Sequence, residues 1–195
     1  RRGQLGVVMQ DMTPDLANAF GIKQRQGAVV TQVLPGSSAD KAGLKSGDII
    51  IGIDGKQVAD GGALRNAVGM LRVGSTIRLQ VIRDGKQKQI TATIELPRDA
   101  RADGGKFNSR LEGALLSNLE EDHPHFDIGG IEVAAVKKNS PAWKAGLRPG
   151  DVIVSVNRQE VTSLMDFSVL TEGTKKTGLL LNIVRGNGAL FIVIR

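Results

Sequence analysis

Along the chain, short apolar or β-branched runs alternate with polar, glycine-punctuated stretches. Ala28 to Val33, Ile49 to Ile53, Thr76 to Ile82 and Gln89 to Leu96 are rich in Val, Ile and Thr and short. That pattern predicts strands. Leu5-Gly6-Val7-Val8 reads as a glycine-hinged lead into another strand. The helices are fewer and brief. Asp11 to Gly21 carries Pro14 at the first helical position and Gly21 just past the end, and Ser37 to Ala42 opens on a capping serine and stops at Gly43. Leu64, Val68 and Leu71 recur at i, i+4 and i+7 after Asp60-Gly61-Gly62, which predicts an amphipathic helix. Asp54-Gly55 and Asp84-Gly85 are hairpin turn pairs.

The pattern then repeats. Gly27 to Val33 matches Gly130 to Val136, and Ser37-Ser38-Ala39-Asp40-Lys41-Ala42-Gly43-Leu44-Lys45-Ser46-Gly47-Asp48-Ile49-Ile50 matches Ser140-Pro141-Ala142-Trp143-Lys144-Ala145-Gly146-Leu147-Arg148-Pro149-Gly150-Asp151-Val152-Ile153 without a gap. A period of roughly 100 residues is too long for a solenoid unit, so the chain holds two copies of one small domain. The expected division is a first domain over 1–97, a polar glycine-rich linker over 98–107 and a second domain over 108–195. The fold class expected is α+β, mostly β with short helices: each copy a small, partly open β-barrel or sandwich flanked by two or three helices.

Composition narrows the chemistry. Of 195 residues, 41% are hydrophobic and 24% charged, but only 3% are aromatic, so the cores must be built from aliphatic side chains. No stretch approaches the roughly 20 apolar residues of a membrane span. The net charge of +6 is scattered and not interleaved with aromatics, which argues against nucleic acid as partner. With no cysteine, disulfides, thiolate metal sites and a cysteine nucleophile are excluded. The histidines, His123 and His125, lie in an acidic stretch read as a solvated loop; no metal or other cofactor is expected, and no catalytic residue, since no nucleophilic serine motif or phosphate-binding loop is present.

The order Leu-Gly-Val, Gly-Ala-Val-Val, Ser-x-Ala-x-x-Ala-Gly-Leu-x-x-Gly-Asp-Ile-Ile and Arg-Asp-Gly-Lys resembles a PDZ domain. The Arg-Gly-x-Leu-Gly start, the Pro-Asp-Leu-Ala helix and a second copy opening on Glu112-Gly113-Ala114 resemble the PDZ pair that follows the protease domain in HtrA-type periplasmic serine proteases, the DegP and DegQ group. The resemblance implies that the loop Gln4-Leu5-Gly6-Val7 turns its N–H groups to the carboxylate of a peptide C-terminus, with Arg2 adding charge. It also implies that the strand from Val8 onward accepts the peptide as an added strand. A nest of N–H donors, a glycine that lets backbone approach and an unpaired strand edge are the physical requirements. Val68 and Leu71, with Leu5 and Val7, would take a terminal apolar side chain; Leu64 would meet the residue two before the end. By spacing alone this helix face serves equally to pack on the sheet; the Leu-Gly-Val loop favours a groove.

The second copy departs from that pattern. Glu112 stands where Leu5 does, and Thr171 and Thr174 stand where Val68 and Leu71 do, so its groove reads as degraded, while Trp143 is expected to cover its own core. The resemblance implies contacts of this copy with PDZ domains of neighbouring subunits. The expected partners are C-terminal segments of unfolded or misfolded proteins, a protease domain upstream of Arg1, and those neighbouring PDZ domains; the expected location is the periplasm. A free-standing tandem-PDZ adaptor and the PDZ pair of a membrane-embedded protease are the alternatives. The pair alone is expected to be monomeric.

Overall fold

The β-branched runs become strands and the capped segments become helices, the first two helices and the hairpins ending where a glycine or a turn pair dictates. A computed structural model describes residues 3–96 and 100–195, in two compact units that divide between Pro97 and Arg98. In the first, β1 (Val7–Asp11), α1 (Pro14–Phe20), β2 (Ala28–Val33), α2 (Ser38–Ala42), β3 (Ile49–Ile53), β4 (Lys56–Gln57), α3 (Gly61–Gly69), β5 (Thr76–Arg83) and β6 (Lys86–Thr93) follow in order. The sheet runs β1-β2-β3-β5-β6, all antiparallel, with β4 paired to β3. β1 is therefore an edge strand.

Local chemistry explains the ends. Thr13 accepts the Leu16 N–H and Gly21 closes α1 in the left-handed conformation, φ +67°. Ser37 accepts the Asp40 N–H and Gly43 closes α2 at φ +89°. Asp60 caps α3 through the Ala63 N–H at 2.8 Å. Asp84 and Gly85, at φ +52° and +76°, form the mirror-image turn joining β5 to β6. The sheet curls over Leu5, Ile50, Leu64, Leu79 and Ile94, all at most 5% exposed. Met12, Ala17, Val29, Ile49 and Ile82 form a smaller cluster. The Gln4 N–H donates to Glu95 O at 2.8 Å, which brings the two ends of this unit side by side.

The second unit repeats the plan: β8 (Ala114–Asn118), β9 (Ile131–Val136), α4 (Pro141–Ala145), β10 (Val152–Val156), β11 (Gln159–Glu160), α5 (Leu164–Thr171), β12 (Leu179–Arg185) and β13 (Gly188–Ile194). Its sheet carries one strand more, in the order β13-β12-β10-β9-β8-β7, where β7 is Arg101–Asp103. The stretch expected as a linker is thus partly a strand, followed by a 3-10 turn over Gly104–Lys106. Pairing with β8 outweighs its polar composition. Pro97, Arg98 and Asp99 lie outside the described residues.

A second feature recurs in both copies. Asp48, 1% exposed, accepts Arg83 through both oxygens at 2.7 Å and the Lys45 N–H at 2.9 Å, while Arg83 also reaches Gly43 O at 2.8 Å. Asp151 holds Arg185 at 2.7 and 2.8 Å and the Arg148 N–H at 2.8 Å, with Gly146 O as the matching fourth partner at 2.8 Å. The hydrogen bond to the aspartate, against desolvation, raises the guanidinium pKa in both. The Gly-Asp of the repeat is thus one half of a fork that ties the loop after α2 or α4 to the far end of β5 or β12.

Candidate functional site

The lead into β1 is shaped by one glycine. Gly6 has φ +82°, and a Cβ there would lie 2.3 Å from the Ser37 Cβ, so no larger residue fits without displacing α2. Leu5 O faces that helix and accepts the Ala39 N–H at 2.8 Å, while Gly6 O accepts the Leu34 N–H at 2.9 Å, just past the end of β2. The Leu5 and Gly6 N–H groups donate to no other described residue. Among the described residues they form a short nest of free donors beside a strand edge with no partner. Gln4 is not part of it, because its N–H is spent on Glu95 O. Arg2 lies outside the described residues.

Opposite the edge stands α3. An ideal Cβ on Gly61 would lie 3.6 Å from the Met9 Cβ and 3.4 Å from Asp11 Oδ1, and the Gly61 N–H donates to that oxygen at 3.0 Å. This bond ties the end of β1 to the first turn of α3. Leu5, Val7 and Met9, on alternate positions, pack against the same core as Val68, so an apolar floor runs under the edge from the nest towards Gly61. Val68, at 4% exposed, belongs to that floor, and Leu71 is half-buried one turn beyond it.

Two expected residues fall elsewhere. Leu64 is wholly buried in the core, at 0% exposed, and offers no surface to a bound peptide. Its 3.6-residue phase points straight at the sheet; Gly61 is the α3 residue that meets the Met9 end of β1, with the exposed Arg65 guanidinium beside it. Val8 lies on the other face of β1, outside the core cluster, and its carbonyl is turned to β2, accepting the Thr31 hydroxyl at 3.1 Å. Met9, Gly61 and Arg65 were not singled out from the sequence. The alternation begun by Leu5 and Val7 points to Met9.

The second unit reproduces the loop and alters what surrounds it. Ala142 donates to Glu112 O at 3.1 Å and Lys137 to Gly113 O at 2.8 Å, the counterparts of the bonds at Leu5 and Gly6. Gly113 has φ +96° and a Cβ would meet the Ser140 Cβ at 2.2 Å. The Glu112 side chain is exposed. Thr171 is buried and donates its hydroxyl to Phe167 O at 2.6 Å, a helix-internal use that leaves no donor for a ligand. Trp143 is half-buried, with the Arg148 guanidinium 3.7 Å over its ring. His123 accepts the His125 N–H through Nδ1 at 3.1 Å, so that nitrogen is occupied within its own loop.

Comparison with known proteins places this geometry. The PDZ domain family model matches residues 3–94, and a second PDZ domain model matches residues 132–185. Over 195 residues, all of this chain, the sequence is 36% identical to the periplasmic serine endoprotease DegP of Salmonella typhimurium. It is likewise 36% identical over its whole length to the periplasmic pH-dependent serine endoprotease DegQ of Escherichia coli. The chain is a tandem PDZ region of the DegP and DegQ type. It spans 40% of the length of that DegP and 42% of that DegQ, so it matches one part of each protease. Among solved structures, the HtrA-type protease AlgW with decapeptide is 37% identical over 49% of this chain and 29% of its own, with a TM-score of 0.46. Among the described residues, no helix of the PDZ pair is long and apolar enough to cross a membrane.

Proposed function

We propose that the first PDZ domain captures exposed C-termini of unfolded polypeptides by strand addition to β1, for a serine protease domain in the same longer protein. The observation that carries the reading is the free Leu5 and Gly6 N–H pair at the head of an unpaired strand edge, above an apolar floor. A terminal carboxylate satisfies the donors, the peptide backbone satisfies the edge, and the last side chain rests on Leu5, Val7 and Val68. The longer protein works in the periplasm, a reading supported by the names of the relatives, both called periplasmic endoproteases.

The test is a fluorescence titration of the PDZ pair with a peptide ending in Leu-Val-Val, as free acid and as amide. Free acid binds with a Kd of roughly micromolar order, and amidation weakens it at least about tenfold, the loss expected for charge-assisted hydrogen bonds of about 1.5–3 kcal/mol. Val68→Thr keeps the shape and puts a hydroxyl in the floor, weakening the free acid about fivefold while the fold persists. Equal binding of acid and amide removes the C-terminal reading.

The second PDZ domain supports assembly. Phe191 and Val193, at 62% and 58% exposed, project from β13 opposite Asn182 and Leu180 of β12. The matching positions on β6 are Gln89 and Thr91, opposite Gln80 and Arg78. One copy thus solvates this sheet face with polar side chains, and the other leaves it apolar, the mark of a surface that another subunit covers. The full-length protein carrying Phe191→Lys is expected to sediment as a smaller particle, with peptide binding by the first domain unchanged; an unaltered particle places assembly elsewhere.

A further inference from the structure

The outer edge of β1 is open, but the equivalent edge of β8 is already taken. β7 runs antiparallel along it, with Arg101 opposite Ser117, Ala102 opposite Leu116 and Asp103 opposite Leu115. An antiparallel strand on that edge, with its C-terminal end towards the glycine loop, has the placement and direction of an augmenting peptide. Ala102 is buried between exposed Arg101 and Asp103, the alternation of a docked strand.

The end of β7 completes the likeness. The Asp103 carboxylate accepts the Gly113 N–H at 3.2 and 3.1 Å from its two oxygens, and the Gly105 N–H at 2.8 Å. Gly113 is the counterpart of Gly6, whose N–H is unengaged in the first domain. A peptide would end at this point; this chain has to continue. It does so through Gly104, where a Cβ would lie 2.4 Å from Leu111 O, so only glycine lets the backbone turn away directly under the loop.

We propose that residues 101–103 are an internal ligand of the second groove, the Asp103 side chain standing for a peptide's terminal carboxylate, and that displacing them opens a second site for extended peptides with a free C-terminus. The degraded look of Glu112 and Thr171 is then secondary: the groove is filled, and its backbone machinery is intact. A tethered strand acts at an effective concentration of about millimolar order, so one whose own dissociation constant is about 10 μM weakens any incoming peptide about 100-fold. The proposal rests on the reading of the first groove only for what a carboxylate does at the glycine loop.

The test replaces the strand in the whole PDZ pair, R101G/A102S/D103G, and follows backbone amides by NMR during titration with the Leu-Val-Val peptide as acid and amide. In the variant, Gly113 and residues 114–118 shift saturably with the acid and not with the amide; in the unaltered chain they stay still at the same concentrations. A folded variant with no Gly113 response overturns the proposal, as does an equal response in the unaltered chain. Collapse of the second unit's dispersed spectrum also overturns it, because β7 is then part of the fold and not a ligand. The Gly6 amide in the same spectra reports the first groove separately, so failure of either reading is seen without the other.

Discussion

Asp48→Ala lowers the melting temperature of the first PDZ domain by more than about 10 °C and leaves the second where it was. The substitution removes a carboxylate that is 1% exposed and accepts three hydrogen bonds, leaving the Lys45 N–H without its acceptor and the half-buried Arg83 with only Gly43 O. Breaking a buried pair by deleting one partner costs about 3–5 kcal/mol. For a domain of this size each kcal/mol is worth about 4–8 °C. Asp151→Ala destabilises the second domain in the same way but by less, because Arg185 is 42% exposed and remains solvated, and calorimetry of the two variants checks both. The pH dependence follows from the sign of the guanidinium shift. Arg83 is raised in the folded state, chiefly by its hydrogen bond to Asp48, so its share of the stability is present in full at every pH below the ordinary guanidinium value and is lost only in strong alkali.

Gly6→Ala abolishes peptide binding by the first domain, and it does so with a fold that is weakened and not lost. Two costs add. An L-residue at φ +82° is strained by roughly 1–2 kcal/mol. The new Cβ also has to push the Ser37 Cβ away from 2.3 Å, which swings the loop off α2 and scatters the Leu5 and Gly6 donors. Losing that convergence removes the carboxylate's partners, so affinity for the free acid falls at least about 100-fold, to the level of the amide or below. Gly113→Ala carries the same strain in the second copy and leaves the first titration unaltered. Binding that survives Gly6→Ala would mean the carboxylate sits elsewhere.

Much of the fold is legible because it is written locally. Ala28–Val33 and Ile49–Ile53 emerge with the predicted bounds, and the Thr13, Ser37 and Gly43 caps act as their residue types require. Boundaries drift where neighbours decide. The strand read over Gln89 to Leu96 is Lys86–Thr93, since the Asp84-Gly85 turn sets its register with β5. The helix that carries Thr171 runs Leu164–Thr171, capped by Ser163, so Thr174 lies beyond its end. Leu64 is misplaced by the same periodicity that finds it, because i, i+4, i+7 spacing marks an apolar face and not which part of it meets a groove. β7 is illegible for a different reason. Arg-Ala-Asp followed by two glycines has the composition of a linker, and only the vacant edge of β8 makes it a strand.

The bridge between Gln4 and Glu95 has a consequence for how such chains are made. Because the N–H of one and the carbonyl of the other are 2.8 Å apart, the path into the first unit and the path out of it leave from a single corner. A module with adjoining ends can be copied, deleted or spliced into a host gene while the host's flanking segments stay as close as they were. Joining its ends through a short loop and reopening the chain at Asp84-Gly85 should yield a circular permutant with the same sheet. Duplication of a unit shaped this way disturbs little on either side of the insertion, which suits a protein that carries the pattern twice.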